Sequence, residues 1–245
     1  MKTAFITGAS RGLGSAIAAG LAADGYCVAV NYSSGKESAE EVVKKIKCAG
    51  GKACTVKADI SDNIQIDQAF KITIDTFGSL DVLVNNARLD PYKRPDDITD
   101  GEWFDRSIGV NLKGPFLCSL KALELMKIKG WGRIINISSV WAYRAAPGPM
   151  MEYAMCKAAL HSLTRSLALL SAPFGITVNT IAPGMIMTEA IGERLSRERI
   201  AELSAGIPVK RAGDECEIVE AVRFALKNDY LCGETINING GSYMP

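Results

Sequence analysis

The segment Thr3-Ala4-Phe5-Ile6-Thr7-Gly8-Ala9-Ser10-Arg11-Gly12-Leu13-Gly14 decides the fold. A short apolar run ends in a glycine-rich turn, and Ala16, Ile17 and Leu21 then follow at helical spacing. A strand thus passes through a tight turn straight into a helix. The same cadence recurs along the chain. Strands are expected at Thr3–Thr7, Cys27–Tyr32, Ala53–Ala58, Asp81–Asn85, Arg133–Ser138, Thr177–Ile181 and Glu234–Ile238, with helices near 13–24, 37–49, 62–77, 100–129, 153–171 and 214–226. Runs such as Val82-Leu83-Val84 and Ile134-Ile135 are apolar without alternation, so both faces of the sheet are covered and the sheet is parallel. Right-handed crossovers make it a doubly wound α/β sheet.

Length and composition narrow the function. A chain of 245 residues, 48% hydrophobic, suits one large core. Twenty-eight basic against twenty-seven acidic side chains give no global field to recruit nucleic acid or an anionic membrane. No apolar run approaches the roughly twenty residues of a membrane span, and no export segment is evident. Seven cysteines, odd in number and without Cys-x-x-Cys spacing, read as free thiols in a reducing cytoplasm. Cys156 reads as buried filler, and the single His161, with no second histidine to join it, as a surface or interface residue. No metal site is expected.

In an open α/β sheet the ligand crevice lies beyond the carboxyl ends of the strands. Two irregular segments there, 88–99 and 184–208, are candidate substrate loops. The Gly8-x-x-x-Gly12-x-Gly14 turn lets the main chain approach a pyrophosphate, whose charge the helix N-terminus then holds. The second strand ends in Asn31-Tyr32-Ser33-Ser34, without the acidic residue that would grip a ribose 2′-hydroxyl. Arg11, Ser33 and Ser34 suit a 2′-phosphate instead, which points to NADP(H) over NAD(H). Tyr153 and Lys157, four apart, share a helix face. A phenol with a pKa of about 10 needs nearby positive charge to shuttle protons at neutral pH. Ser139 ends a buried strand and offers a hydroxyl for a carbonyl oxygen.

These parts occur together and in order. Thr7-Gly8-x-x-x-Gly12-x-Gly14, Asp59, Asn85-Asn86-Ala87, Asn111, Ser139, Tyr153-x-x-x-Lys157 and Pro183-Gly184 make the sequence resemble the short-chain dehydrogenases/reductases over almost its whole length. The resemblance implies one Rossmann domain over 1–245 with a seven-stranded sheet. It implies a cofactor along Gly8, Ser10, Arg11, Gly12, Leu13, Gly14 and Asn31, with Asp59 and Ile60 near adenine and Asn85 and Ala87 along its length. Pro183 and Gly184, followed by Ile186 and Thr188, fall toward the nicotinamide end. Tyr153 is implied as general acid/base, Ser139 rather than Ser138 as carbonyl orienter, Lys157 as ribose ligand and pKa modifier, and Asn111 as holder of a relay water.

Within the family the chain looks most like the 3-oxoacyl-carrier-protein reductases, through Val30-Asn31-Tyr32-Ser33, Asn111-Leu112-Lys113-Gly114, Val209-Lys210-Arg211-Ala212-Gly213 and Gly240-Gly241. Three departures stand out. Arg88 replaces the usual glycine after the fourth strand, Gly130 and Phe174 stand where basic docking residues are usual, and the stretch 226–233 is short. Arg88, Lys93, Arg94 and Arg144 fall in loops near the cleft, which points to a substrate carrying a carboxylate, a phosphate or a thioester-linked phosphate group. Ala158–Leu170 is apolar around more of its circumference than one buried face requires, so a homotetramer or homodimer is expected. The leading reading is NADPH-dependent reduction of a ketone, a 3-oxoacyl thioester among the candidates. The alternatives are a sugar, polyol, steroid or cyclic alcohol as substrate, or a cofactor-binding regulator without turnover.

Overall fold

The computed structural model describes residues 1–244. In chain order the elements are β1 (Thr3–Ile6), α1 (Gly12–Ala23), β2 (Cys27–Tyr32), α2 (Lys36–Cys48), β3 (Lys52–Lys57), α3 (Asn63–Phe77), β4 (Val82–Asn85), α4 (Asp100–Ile108), α5 (Gly114–Lys129), β5 (Gly132–Ile137), α6 (Met151–Ser171), β6 (Ile176–Pro183), β7 (Ile186–Met187), α7 (Glu189–Arg194), α8 (Arg197–Ala205), β8 (Gly213–Asp214), α9 (Glu215–Lys227) and β9 (Thr235–Ile238). Seven strands form one parallel sheet in the order β3-β2-β1-β4-β5-β6-β9. The winding reverses between β1 and β4, which opens a crevice above their carboxyl ends.

The unbroken apolar runs have the expected cause. Ala4 and Ile6 of β1, Val28 and Val30 of β2, and Val82 and Val84 of β4 face one core, which α1, α2 and α9 cover. Phe5, Ala29 and Leu83, between them in sequence, face a second core under α3, α5 and α6. Phe5 and Phe70 meet there with ring centroids 5.1 Å apart. Neither face of the central strands meets water, so a period of two never appears in the sequence.

Two features differ from expectation. The helix expected over 100–129 is interrupted by a π-helical turn at Gly109–Lys113, where the Gly114 amide donates to Gly109 O five residues back. Pro115 follows and has no amide to restore the tighter ladder. The second is a small parallel pair, with Ile186 opposite Gly213 and Met187 opposite Asp214, too short to leave a periodic signal. It ties the start of the 184–208 loop to α9. That loop is itself partly helical, in α7 and α8.

At the amino edge of the sheet, Asp81 is 3% exposed and accepts from the Thr3 amide at 2.8 Å and the Ser79 hydroxyl at 2.7 Å, while pairing with Lys129. Burial alone would raise its pKa. The hydrogen bonds from Lys129, Ser79 and Thr3 outweigh that and hold the carboxyl below its ordinary value. Its contribution is therefore present above the unfolded pKa and is lost as pH falls through the folded one. Asp81→Ala is expected to cost about 3 kcal/mol and to lower Tm by roughly 6–12 °C at pH 7. Thermal denaturation of the variant checks this, and an unchanged Tm contradicts it.

Candidate active site

The glycine turn is held by side chains from neighbouring strand ends. Gly8 and Gly12 adopt left-handed backbone, φ +62° and +54°. A Cβ on Gly14 would lie 2.4 Å from Gly8 O and 2.5 Å from Asn86 Nδ2, so no other residue fits there. Thr7 Oγ1 accepts from the amides of Asn86 at 2.9 Å and Ala87 at 3.0 Å, and Asn86 Nδ2 donates to both Thr7 O and Gly8 O at 3.0 Å. Asn31 Oδ1 accepts from the Gly8 amide at 3.1 Å, while Asn31 Nδ2 donates to Val56 O and Ala58 O. One polar clamp therefore joins the carboxyl ends of β1, β2, β3 and β4.

Asn31 is buried beneath the turn with its side chain fully engaged, so its side chain positions Gly8. Asn85 also turns inward. Its Nδ2 donates to Asn136 Oδ1 at 2.8 Å and Ser119 Oγ at 3.0 Å, so its side chain lies in the interior of the sheet and not in the crevice. Thr7 and Asn86, which the sequence reading quoted only as parts of motifs, are the residues that hold the turn.

Above the clamp, the first amides of α1 have no side-chain cap. Its N-cap Arg11 makes no side-chain cap and its first turn has no acid, whereas α3, α4 and α9 are capped by Asp62, Thr99 and Asp214. An uncapped N-terminus flanked by close-packed glycines fits a pyrophosphate. Arg11, Ser33 and Ser34 are exposed, Ser10 and Leu13 partly so. No carboxylate stands at the end of β2. Asp59 Oδ1 accepts from the Ser61 amide and hydroxyl, and Ile60 is buried against Gly114. Across the turn, Thr188 Cβ lies 3.9 Å from where a Gly12 Cβ would be. Gly184 is packed against Asn239 after Pro183 ends β6, and Ile186 is buried. Glu215, not singled out from sequence, brings Oε1 within 3.8 Å of the same Gly12 position, and that oxygen is buried without a hydrogen-bond partner. Burial, then Asp214 and Glu189, push its pKa up. Only the folded contact between α9 and α1 reveals it.

At the other end of the crevice, α6 carries Tyr153 and Lys157 on its buried stripe. Lys157 is 2% exposed, donates from Nζ to Ile137 O at 2.7 Å and lies 5.5 Å from the centroid of the Tyr153 ring. Burial first, then the charge of Arg88, push the Lys157 pKa down to about 7. Burial raises the Tyr153 pKa, while Arg88 and a hydrogen bond with Ser139 oppose the rise. Ser138 is committed elsewhere. Its hydroxyl donates to Lys157 O at 2.9 Å and meets His161 Nε2 at 2.8 Å, which leaves Ser139 as the hydroxyl beside the phenol. Asn111 sits in the π-turn, fully buried, accepting from the Leu89 amide at 3.0 Å and donating to Ser107 Oγ at 3.2 Å.

The remaining expectations divide. His161 is buried, not at the surface, because its spacing of four from Lys157 puts it on the same stripe; burial, then Arg165 and Lys157, push its pKa down to about 4. Cys156 is fully buried and burial raises its pKa, as suits a packing residue. Of the four loop cations, Arg94 is bound to Asp100 at 2.6 Å and to Ile98 O, Arg144 to Ser242 O, and Lys93 is exposed. Arg88 alone acts on Tyr153 and Lys157. Among the described residues no cluster of His, Cys, Asp or Glu could hold a metal ion, and no helix is long and apolar enough to cross a membrane.

Known proteins share this arrangement. The short chain dehydrogenase family model matches residues 2–199. The 3-oxoacyl-(acyl-carrier-protein) reductase FabG of Staphylococcus aureus strain Mu50 is 42% identical, over 99% of this chain and 98% of that protein. An uncharacterized oxidoreductase of Thermotoga maritima is 40% identical, over 98% of this chain and 97% of that protein. The solved short-chain dehydrogenase/reductase of Serratia marcescens BCRC 10948 superposes with a TM-score of 0.89 at 35% identity, covering 98% of this chain and 97% of that one. With its glycine turn, its strand-end crevice and this match over nearly its whole length, the chain belongs to the short-chain dehydrogenase/reductase family and is an NAD(P)-dependent oxidoreductase.

Proposed function

We propose that residues 1–245 act as one dinucleotide-binding domain that interconverts a ketone and a secondary alcohol, with NADP(H) preferred over NAD(H). The observation that carries this reading is the burial of Tyr153, Ser139 and Lys157 together at the carboxyl end of β5. The free N-terminus of α1 supports the pyrophosphate site, and Arg11, Ser33 and Ser34 beside a strand end without a carboxylate support the 2′-phosphate. Leu13, Ala87, Gly184, Ile186 and Thr188 would line the length of the cofactor, with Asp59 and Ile60 at adenine. When bound, the cofactor supplies or accepts the hydride.

The side chains handle the proton. In reduction, the Tyr153 hydroxyl gives its proton to the carbonyl oxygen while the Ser139 hydroxyl holds that oxygen in place. Losing a proton from a buried phenol costs heavily unless positive charge faces the phenolate. Lys157 supplies that charge, and its own burial makes it sensitive to whatever anionic or hydroxyl group lies beside it. Asn111, fixed in the π-turn, offers a main-chain carbonyl freed from the α-ladder to hold a relay water.

The names of the relatives support a 3-oxoacyl compound as the substrate class. Phe174 and Gly130 stand where basic docking residues are usual, although Lys127 places its ammonium 4.7 Å from the Phe174 ring and restores a cation to that surface. Exposed Phe116, Met155, Leu169 and Leu170 on α5 and α6 support association into a homodimer or homotetramer, and seven free thiols support a cytoplasmic setting.

Tyr153→Phe is expected to lower kcat for ketone reduction by about 10²- to 10⁴-fold while leaving NADPH binding within a few-fold. Steady-state kinetics beside a binding titration separate the two, and wild-type kcat in the variant contradicts the role. The phenol must be protonated to reduce a ketone and deprotonated to oxidise an alcohol. Reduction is therefore expected to slow, and oxidation to quicken, as pH rises through the Tyr153 pKa, which burial holds above the ordinary phenol value. Rate profiles in both directions check the sign, and parallel profiles contradict it.

A further inference from the structure

Two arginines of the candidate substrate loops, Arg88 and Arg194, make ion pairs but no side-chain hydrogen bond among the described residues. Arg88 follows β4 directly, and the neighbouring Leu89 amide is bound to Asn111. The 3-10 turn Pro91–Lys93 packs against the turn Gly148–Met150 that leads into α6. This segment therefore borders the helix that carries Tyr153. Arg194 arrives from the other substrate loop, at the end of α7, and stacks its guanidinium 4.4 Å over the Tyr92 ring.

Both arginines converge on one carboxylate. Arg88 Nη2 lies 3.6 Å from Asp90 Oδ2 and Arg194 Nη1 lies 3.6 Å from Asp90 Oδ1, while Oδ1 also accepts from the Tyr92 amide at 3.1 Å. These distances are ion pairs too long for hydrogen bonds. Three other arginines grip their carboxylates much more closely. Arg211 grips Glu217 with contacts of 2.7 and 2.8 Å, Arg223 grips Asp24 with 2.7 and 3.1 Å, and Arg94 reaches Asp100 at 2.6 Å. Two cations sharing one distant anion leave a net positive charge, with free N–H donors in planar forks, around Asp90.

We infer that Arg88 and Arg194 form a subsite for an anionic group carried close to the reacting carbonyl, so that the preferred substrate is a small oxo acid or hydroxy acid. The inference rests on the reading of Tyr153 as the proton donor and narrows its substrate. The nearness of Arg88 to the reaction is independently visible, because its charge acts on both Tyr153 and Lys157. A thioester has no charge at its esterified carboxyl and would leave the two forks unused. A free carboxylate, or a phosphate one or two carbons from the carbonyl, would engage them with charge-assisted hydrogen bonds. Because Arg88 and Arg194 come from different loops, the same anion would draw the 184–208 segment toward the strand ends.

The test uses the full chain saturated with NADP⁺. Acetoacetate, its neutral methyl ester and inorganic phosphate are titrated by calorimetry into wild type, Arg88→Gln, Arg88→Lys and Arg194→Gln. NADPH-dependent reduction of acetoacetate, methyl acetoacetate and acetoacetyl-CoA is measured in parallel. Acetoacetate is expected to bind wild type more tightly than the ester, and each Gln variant is expected to weaken acetoacetate by about 10- to 100-fold. Arg88→Lys, which keeps the charge and loses the fork, is expected to fall between. Competition by phosphate assigns a phosphate-bearing substrate; failure of phosphate to compete assigns a carboxylate. Equal binding of acetoacetate and its ester to wild type, or unchanged acetoacetate binding in both Gln variants, overturns the subsite whatever the turnover. Charge-selective binding without turnover of any ketone keeps the subsite and overturns the ketone-reductase reading.

Discussion

The chain between β1 and α1 has to come close to whatever lies above the sheet, and glycines that permit the approach cannot hold it in place. The holding is done from below and beside, by Thr7, Asn31 and Asn86. These three side chains bind main-chain groups that would otherwise be orphaned at the strand ends, where the ladder of the sheet runs out. Asn31 alone touches the ends of three strands. The clamp thus serves the fold and the site at once: it fixes the register of the central strands at their carboxyl ends and aims the uncapped amides of α1 into the crevice. Removing it would leave several buried polar groups without partners, each costing about 1–3 kcal/mol.

The second constraint is electrical. Tyr153 and Lys157 are brought together by one helical turn and are then buried together, which penalises the charged form of each. Lys157 keeps one firm partner, the Ile137 carbonyl, and its proton is loosely held near neutral pH. A pocket of this kind responds to the charge of its contents. Arg88, an exposed side chain on a loop, adds a second cation at its edge and shifts both groups in the same downward direction. Loop chemistry thereby reaches Tyr153 and Lys157 without altering the scaffold.

Much of this was legible in the sequence. The parallel sheet could be read because strands buried on both faces lose their alternation, as Val82-Leu83-Val84 does between two cores. Tyr153, Lys157 and Ser139 could be found because helix spacing and strand ends place them, and His161 could have been placed by the same spacing from Lys157. What stayed hidden depends on contacts between distant segments. That the Asn31 side chain holds the turn was decided by Gly8 and by strand β3, far away in sequence. The break in the 100–129 helix turned on how the Gly114 amide is satisfied once Pro115 removes the next one. The pairing of Arg194 with Asp90 and the approach of Glu215 to Gly12 join loops that share no local pattern.

The account stands on the claim that the clamped turn and the open end of α1 receive a dinucleotide bearing a 2′-phosphate. Calorimetric titration of the purified chain with NADP⁺ and with NAD⁺ tests it most directly. The expected result is saturable binding of one dinucleotide per chain, with NADP⁺ bound about 10-fold or more tightly than NAD⁺. Absence of saturable binding, or tighter binding of NAD⁺, would contradict the account.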